Sequence, residues 1–438
     1  MFEAIIGQNA LTQLAADRAG GILAPSMLFS GPPASGKGTA GLELGRTLSC
    51  ETPGSPPDCA CGACVRHRFL THPDLLSLGP RNFSSEMSAA AAAFQRKPES
   101  DDARLLFIRS VRKLLSRFSP VLWEEEPKFS KLSDMMLSLE EALDEIFSSK
   151  RPAAPETLKK QCDGILKTAL KLEADGMSDT IPIGQIRRAA AWSHLAPTGG
   201  RKLLLIENAD RMQDGARNSL LKILEEPPEP LTILLTTARE KALLPTILSR
   251  VRPYRFVQRP RETETEVIRR IFGDGQTAAS GIGAYLDSFL PIPEERLRAL
   301  AGFFAAYLSA GIAAALRKRG TPLPEELAAL GERAAGIAEA AGLGKPGNDA
   351  QGVIAKIVAG AEKFEIRGLF SQFLSLLLAL VSESGRSLGR VVCGGYYDVW
   401  RKSVGEAAGA VGIYNQSPVL ALERLGVELK RNLIIHFR

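Results

Sequence analysis

Continuous apolar runs, rather than alternating ones, predict the strands in the first part of this chain. Such runs occupy residues 26–30 (SMLFS), 202–207 (KLLLIE) and 231–237 (LTILLTT). A strand that is apolar throughout is buried on both faces, as in parallel sheets covered by helices. Residues 38–50 (GTAGLELGRTLSC) have the 3.6-residue spacing of a helix, and a second helix is predicted over 214–226 (DGARNSLLKILEE). We therefore predict an α/β fold built on a parallel sheet.

A region of different character separates the first strand from the second. Residues 81–180 contain an Ala run at 89–93, a charged helical stretch near 101–118, an acidic WEEEP segment at 123–127 and a helix-like run at 131–149. The pattern indicates a helical insertion that interrupts the sheet domain.

Strand signals fade after residue 258. Long Ala- and Leu-rich helical patterns, separated by segments with Pro and Gly, predict an all-α region at the end of the chain. Its most apolar stretches, 301–316 and 369–381, fall short of the roughly 20 residues that span a membrane. We predict that both are core helices.

Composition adds little to this picture. The 438 residues are 45% apolar and 24% charged, as in an ordinary globular protein of two to four domains, and the net charge of +6 fits either a polyanionic partner or a solvated surface. The opening residues, MFEAIIGQNALTQL, have none of the features of a secretion signal, so a cytoplasmic protein is expected.

The first predicted strand leads into a phosphate-binding loop. In GPPASGKGTA, residues 31–40, three residues have the required spacing between a strand and a helix: Gly31, Gly36 and Lys37. Glycines let successive N–H groups turn toward an anion at the helix N-terminus, and the lysine supplies charge to the β- and γ-phosphates. The predicted nucleotide-binding residues of the loop are Gly31, Pro32, Ser35, Gly36, Lys37, Gly38 and Thr39.

Two features of the loop leave its chemistry open. Gly38 stands where a hydroxyl that binds Mg²⁺ usually follows the lysine, and Thr39 is not expected to bind a metal directly. The letters GKGT also occur in nucleoside monophosphate kinases. The loop therefore predicts a site that ATP can bind, and it leaves Mg²⁺ and the reaction undecided.

The second element expected of such an ATPase is an apolar strand that ends in acidic residues. Here it reads LLLIENADRM, residues 203–212. Glu207 can approach a metal, whereas Asn208 occupies the place of the general base. An amide cannot accept a proton as a carboxylate does, so we expect weak or absent hydrolysis.

Four cysteines form a compact motif, C-x8-C-x-C-x2-C. They are Cys50, Cys59, Cys61 and Cys64, and in a reducing compartment they predict a tetrahedral Zn²⁺ site rather than disulfides. Cys59 and Cys61 are separated by one residue only, which crowds two ligands, and His67 is an alternative ligand. Cys162 and Cys393 are treated as ordinary residues.

These segments resemble a known family. FEAIIGQNALTQL, GPPASGKGT, CACGAC, HPDLL, IPIGQIRRAAAW, IENADRMQDGARNSLLKILEEPPEP and LLPTILSRVRPYRF occur in the order found in bacterial DNA polymerase III clamp-loader AAA+ subunits, delta-prime and gamma/tau. The resemblance covers most of residues 1–80 and 180–258. The degraded IENAD is more similar to delta-prime. Residues 81–180 and most of the C-terminal helical region match nothing identified.

The resemblance implies a domain plan and further site residues. It implies an AAA+ P-loop domain at 1–258, with a zinc module near 50–67 and the insertion near 81–180. A helical lid or linker follows at 259–290 and an all-α, collar-like oligomerisation domain at 291–438.

In this family an arginine of the SRC element acts on the nucleotide of a neighbouring subunit. Here that element comprises Ser249 and Arg250, with Val251 in place of the cysteine. A sensor threonine at the end of the third predicted strand is Thr236 or Thr237, and Thr237 is taken as the nucleotide-binding residue. The family also carries a structural zinc module, usually with C-x2-C spacing.

The expected function is that of a delta-prime-like subunit that helps load the sliding clamp on primed DNA. Its expected partners are gamma/tau, delta, the clamp and, through the assembled complex, primed DNA. A gamma/tau-type ATPase motor is the alternative. A nucleoside monophosphate kinase fits less well, because LEEPP and LPTILSR have no place in one and the chain is about twice the usual kinase length.

Overall fold

A five-stranded parallel sheet lies at the centre of the N-terminal part of the chain. In the computed structural model its strands are β1 (Ser26–Ser30), β2 (Leu75–Leu78), β3 (Lys202–Ile206), β4 (Leu231–Thr237) and β5 (Arg252–Arg255), in the order β2-β3-β4-β1-β5. Every pairing is parallel, so the predicted α/β class and parallel sheet are confirmed. The edge strands β2 and β5 were not predicted.

The structure describes residues 5–124, 126–149, 153–275, 281–290, 292–362, 369–388, 395–412 and 416–437. The chain divides into two compact units, Met1–Phe289 and Leu290–Arg438. Cys393 lies outside the described residues.

Helices cover both faces of the sheet, as the continuous apolar strands require. Alternate strand residues serve opposite faces: Met27 and Phe29 pack on one side, and Leu28 packs on the other. The first face is covered mainly by α1 (Asn9–Ala19) and α2 (Lys37–Ser49). The helix α3 (Gly62–Arg68) follows α2 and packs against it.

The insertion at residues 81–180, between β2 and β3, is mainly helical, as predicted. Its helices are α4 (Ser84–Arg96), α5 (Asp101–Leu115), α6 (Pro120–Trp123), α7 (Pro127–Ser148) and α8 (Pro155–Gly176). They share an apolar core that includes Phe107, Leu143 and Cys162. Cys162 is therefore an ordinary buried residue. The insertion has its own core, so it can hold side chains against the sheet in fixed positions.

The remaining helices of the N-terminal unit are α9 (Ile183–Ser193), α10 (Asp214–Glu225), α11 (Pro245–Leu248), α12 (Arg261–Phe272) and α13 (Ile282–Asp287). α9 and α10 cover the second face of the sheet. α12 and α13 pack against α4 around Phe272 and Tyr285. The segment after β5 is therefore held by the insertion.

The described part of the C-terminal unit is helical. It contains α14 (Glu294–Lys318), α15 (Glu325–Ala340), α16 (Ala350–Gly360), α17 (Leu369–Ser387), α18 (Gly395–Gly412) and α19 (Pro418–His436). α14 is the one described helix that is long and apolar enough to cross a membrane, but 72% of its most apolar window is buried inside the protein. It packs against α15, α17 and α19, as a core helix does.

Candidate functional site

The phosphate-binding loop connects β1 to α2 and has the backbone geometry that its glycines permit. Gly36, the residue before α2, has a left-handed φ of 95°, which residues with a side chain rarely adopt. Gly31 has φ 147°, and a Cβ there would collide with the carbonyl oxygen of Phe256. The predicted strand–loop–helix arrangement is therefore present, with the N-terminus of α2 facing the loop.

Lys37 lies folded onto the loop that precedes it. Its Nζ donates hydrogen bonds to the carbonyl oxygens of Gly31 (2.7 Å) and Pro32 (2.6 Å) and to Oγ of Ser35 (3.2 Å). Burial lowers the pKa of Lys37 to about 8, although the nearby carboxylate of Glu207 acts in the opposite direction. A phosphate would give this ammonium a stronger acceptor than carbonyl oxygens.

Gly38, in the first turn of α2, faces Glu207 at the end of β3. A Cβ built on Gly38 would lie 2.5 Å from Oε1 of Glu207 and 3.3 Å from Nη1 of Arg81. The space next to the loop where a hydroxyl would project is thus filled by a carboxylate and a guanidinium. Thr39, the next residue, is exposed.

The insertion supplies two arginines to the carboxylate of Glu207. Nη1 of Arg81 is 3.2 Å from Oε1, and Nη2 of Arg117 forms an ion pair with Oε2. The side chain of Arg117 is 4% exposed and that of Glu207 is 8% exposed. Burial alone would raise the pKa of Glu207, but these positive charges outweigh it and the pKa is lowered. Glu207 is therefore a carboxylate held by guanidinium groups.

A second carboxylate extends the same network. Glu86, in α4, forms ion pairs with Arg81 and with Lys113 of α5. Burial would raise the pKa of Glu86, but Lys113 and Arg81 lower it to about 2. Arg81 thus connects the carboxylate of the insertion with the carboxylate of the sheet.

Asn208 has a structural role that its sequence position did not reveal. It adopts a left-handed backbone (φ 50°), which asparagine tolerates better than most residues. Its Nδ2 donates a 2.6 Å hydrogen bond to the carbonyl oxygen of Pro80, and its backbone N–H donates to Oγ1 of Thr236 at 3.4 Å. The amide is therefore engaged with the end of the β2 segment.

The two threonines at the end of β4 have different partners. Thr236 accepts the bond from the Asn208 backbone, whereas Thr237 Oγ1 donates a 2.6 Å hydrogen bond to Oδ1 of Asp210. Oδ2 of Asp210 accepts from Nε and Nη2 of Arg239 at 2.9 and 2.6 Å. The hydroxyl of Thr237 is thus bonded to a carboxylate in this structure. Its carbonyl oxygen accepts from the N–H of Gly31 at 3.2 Å.

A residue that the sequence did not single out holds the other side of the loop. Arg259 donates from Nε to the carbonyl oxygen of Ile6 (2.8 Å) and from Nη1 to that of Ala34 (2.9 Å). Gln8 exchanges two 2.9 Å hydrogen bonds with the backbone of Val257. The segment before α1 is therefore fixed beside the phosphate-binding loop.

Arg250 lies at the surface, just after α11. Its Nη2 forms a 2.8 Å ion pair with Oε1 of Glu225 at the end of α10, and its Nη1 donates to the carbonyl oxygen of Thr246 at 2.8 Å. The side chain is 33% exposed and that of Glu225 is 50% exposed. The preceding Ser249 donates to the same carbonyl at 3.1 Å.

The four predicted cysteine ligands come together. The Sγ atoms of Cys50, Cys59, Cys61 and Cys64 all lie within 4.8 Å of one another. A tetrahedral site with Zn–S distances of about 2.3 Å places its sulfurs about 3.8 Å apart, so a small contraction produces the required geometry. The residues present therefore fit a structural zinc ion.

The surroundings act in opposite directions on the thiols: hydrogen bonds, that of Thr52 first, lower the pKa of Cys59 to about 6, whereas burial raises the pKa of Cys64. Nη1 of Arg46 donates to Sγ of Cys64 at 3.1 Å, and the backbone N–H of Cys64 donates to Sγ of Cys61 at 3.5 Å. His67, the alternative ligand, is buried and stacks on His72 with ring centroids 4.2 Å apart. The cysteines form the metal-capable group among the described residues, and His67 is not in it.

Parts of this chain are similar to known proteins. The model of the family described as "DNA polymerase III, delta subunit" matches residues 147–260, which include β3, β4 and β5. The match also includes α8, so the expectation that the whole of 81–180 matches nothing is wrong for its last helix. A solved gamma subunit-related protein from Thermotoga maritima aligns with 61% of this chain and 90% of its own, at 20% identity. Its TM-score of 0.23 is too low for an argument about fold.

The curated relatives are subunits of DNA polymerase III. DNA polymerase III subunit delta' of Pseudomonas aeruginosa is 40% identical over 80 residues, 18% of this chain and 24% of that protein. The corresponding subunit of Bacillus subtilis is 40% identical over 72 residues, 16% of this chain and 22% of that protein. Subunit gamma/tau of Mycobacterium tuberculosis is 36% identical over 77 residues, which are 17% of this chain and 13% of that protein.

The aligned segments thus span a quarter or less of those relatives' length. Within that span, the motifs quoted from the sequence and the family match point to the same group of proteins. The resemblance predicted from the sequence is confirmed: over part of its length, this chain is similar to the delta-prime and gamma/tau subunits of DNA polymerase III.

Proposed function

We propose that this chain is a delta-prime-like subunit of the DNA polymerase III clamp loader, which helps place the sliding clamp on primed DNA. In this role it binds nucleotide at its P-loop with little or no hydrolysis of its own. The observation that carries this choice is the position of Asn208, whose amide donates to the carbonyl oxygen of Pro80.

The proposed site lacks the base that hydrolysis of ATP requires. An attacking water needs a base at this place, and an amide nitrogen committed to a carbonyl oxygen cannot take up its proton. Lys37 and the loop glycines, by contrast, keep the groups that hold phosphates. The proposed site therefore holds a nucleotide without turning it over.

The proposed domain plan follows the resemblance. Residues 1–258 form the AAA+ domain with its zinc module, 259–290 a helical lid or linker, and 291–438 a collar-like oligomerisation domain. The helical content of the described C-terminal unit supports the last of these. We infer a cytoplasmic location, partners that include gamma/tau, delta and the clamp, and salt-dependent contact with DNA phosphates through the complex.

Arg250 is proposed to act on the nucleotide of a neighbouring subunit. Its partial exposure and its pairing with a half-exposed glutamate support this, because such a pair contributes little and can be exchanged for a phosphate. The zinc ion is proposed to be structural, because four cysteines leave no open coordination position.

The proposal is tested by reconstitution. The purified chain is mixed with the gamma/tau and delta subunits, and assembly is followed by size-exclusion chromatography. ATPase activity is then measured with and without clamp and primed DNA. We expect a stable complex whose activity is stimulated by clamp and DNA, and an isolated chain with no turnover above background. Failure to assemble would refute the role.

A gamma/tau-type motor subunit is the second candidate, because the P-loop lysine is retained and gamma/tau subunits are among the relatives. The isolated chain separates the two. Hydrolysis that collapses in Lys37→Ala would favour the motor. The relatives found are replication subunits rather than kinases, so the kinase alternative is set aside.

A further inference from the structure

We propose that the helical insertion replaces the divalent cation of this P-loop with guanidinium groups, so that the loop takes a phosphate-bearing anion without Mg²⁺. The inference rests on the proposed binding of a nucleotide at the P-loop. It adds that the nucleotide binds without Mg²⁺. Its basis is the contact of Arg81 and Arg117 with Glu207, beside Gly38.

The residues next to the loop do not fit a magnesium ion. Mg²⁺ in such sites is held by a loop hydroxyl and by a carboxylate at the strand end, in a near-octahedral arrangement. Position 38 offers no hydroxyl, and the direction in which one would project already contains Oε1 of Glu207.

Both oxygens of the Glu207 carboxylate already have partners. One oxygen of Glu207 is bonded to Arg81 and the other to Arg117, so a divalent cation at this carboxylate would displace a guanidinium or lie against it. Arg117 is almost fully buried, and its Nε and Nη1 have no other hydrogen-bond acceptor among the described residues. Displacement would leave its charge without its carboxylate partner.

Arg81 is placed to act on a bound anion. It is 27% exposed, whereas Arg117 is buried, and its Nη1 lies 3.3 Å from the position of a Cβ on Gly38 at the N-terminus of α2. An arginine offers two or more N–H groups and a permanent charge to phosphate oxygens.

The charges around the loop favour an anion. Five side chains form the loop-side network: Arg81, Lys113, Arg117, Glu86 and Glu207. With Lys37 added, the positive charges exceed the negative ones by two. A bound polyphosphate would balance this excess positive charge. In a P-loop that binds Mg²⁺, the polyphosphate balances the charge of the cation in the same way.

The test is calorimetric titration of ADP into the full chain, in EDTA and in excess Mg²⁺. We expect affinities that agree within about twofold. In Arg81→Met, binding in EDTA is expected to weaken by about tenfold or more, and Mg²⁺ to restore part of the loss. The matched control is Arg104→Met, in α5 of the same insertion, whose ion pair is with exposed Asp101. The Arg104→Met variant is expected to bind ADP with the affinity of the unaltered chain in both solutions.

Three outcomes would overturn the inference. One is binding to the unaltered chain that Mg²⁺ strengthens by about tenfold or more. Another is an Arg81→Met variant that binds ADP in EDTA as well as the control. The third is no ADP binding in either solution, which would leave the assembly role standing because that role is tested by reconstitution. Circular dichroism of both variants establishes that each is folded.

Discussion

Nδ2 of Asn208 donates a 2.6 Å hydrogen bond to the carbonyl oxygen of Pro80, and this bond connects the end of β3 to the start of the insertion. Aspartate tolerates the same left-handed backbone, but its carboxylate would face that carbonyl oxygen. We expect Asn208→Asp to destabilise the protein by about 1–3 kcal/mol at pH 7, measured by urea unfolding.

The pH dependence of the stability of Asn208→Asp tests the same hydrogen bond. A protonated aspartate can donate to Pro80, so the deficit of Asn208→Asp should shrink as the pH falls toward 4. Asn208→Ala, which cannot donate at any pH, is the control and should show no such recovery. Equal pH dependence of the two variants would contradict the assigned hydrogen bond.

The buried ion pair between Arg117 and Glu207 should be costly to break from one side. Arg117→Met leaves the Glu207 carboxylate with Arg81 alone, and we expect a loss of about 3–5 kcal/mol in the free energy of unfolding. Arg117→Met combined with Glu207→Leu removes both charges, and Arg81 still pairs with Glu86. The double variant is expected to be more stable than the single one.

The control for this prediction is Arg104→Met, which removes an ion pair with exposed Asp101. Such pairs contribute about 0–1 kcal/mol. A loss in Arg117→Met no greater than in Arg104→Met would show that the Arg117–Glu207 pair does not hold the insertion against the sheet.

Acid should weaken the same network. Glu207 and Glu86 have pKa values lowered in the folded chain, that of Glu86 to about 2, so their contribution to stability is present above the unfolded value near 4.5. It is lost as the pH falls through the folded values. In the double variant Arg117→Met with Glu207→Leu, the free energy of unfolding should therefore fall less steeply with acid than in the unaltered chain.

The sequence predicted the elements whose signals are local. Continuous apolar runs gave the central strands, and the spacing of Cys50, Cys59, Cys61 and Cys64 predicted a cluster that the structure brings within 4.8 Å. The edge strand β5 was missed because it is short and, of its four residues, only Tyr254 is buried. It includes Pro253, a residue that sheets accept at an edge.

The arginines of the site could not be predicted. Arg117 is separated from Glu207 by 90 residues and Arg81 by 126, and neither belongs to a motif. Their pairing depends on how the insertion packs, which periodicity within a single helix does not specify.

Lys37 should make anion binding depend on pH. Burial lowers its pKa to about 8, so the ammonium is present at pH 7 and is lost as the pH rises through that value. An anion favours the charged form, and binding above that pH then requires proton uptake. We expect the affinity for ADP to fall by up to about tenfold per pH unit above pH 8.

Lys37→Arg is the matched variant for this effect. A guanidinium stays charged throughout this pH range, so its profile should be flat, even if its absolute affinity differs. ADP is suitable because its phosphates are fully ionised above pH 7.5. A flat profile for the unaltered chain would show that Lys37 does not contact the bound phosphates.

The cysteine cluster should contain a tightly bound metal. We expect about one equivalent of zinc per chain by elemental analysis, because four sulfurs satisfy a tetrahedral ion. Cys61→Ser combined with Cys64→Ser should lose the metal and lower the melting temperature. Cys162→Ala, a change in the core of the insertion, is the control and should retain the metal. A metal-free unaltered chain that melts like the double variant would contradict the site.

Replacing Arg250 should lower the ATPase activity of a neighbouring subunit and leave the stability of its own chain almost unchanged. Arg250→Ala removes a partly exposed ion pair with Glu225, so the stability of the isolated chain should change by at most about 1 kcal/mol. In the reconstituted loader, assembly should be preserved while DNA-stimulated ATPase activity falls by about 10³-fold at each site that depends on this arginine. Arg255→Ala, on β5 and 75% exposed, is the control. An ATPase rate that is unchanged in Arg250→Ala would refute the role in trans, and a failure to assemble would instead place Arg250 in an interface between subunits.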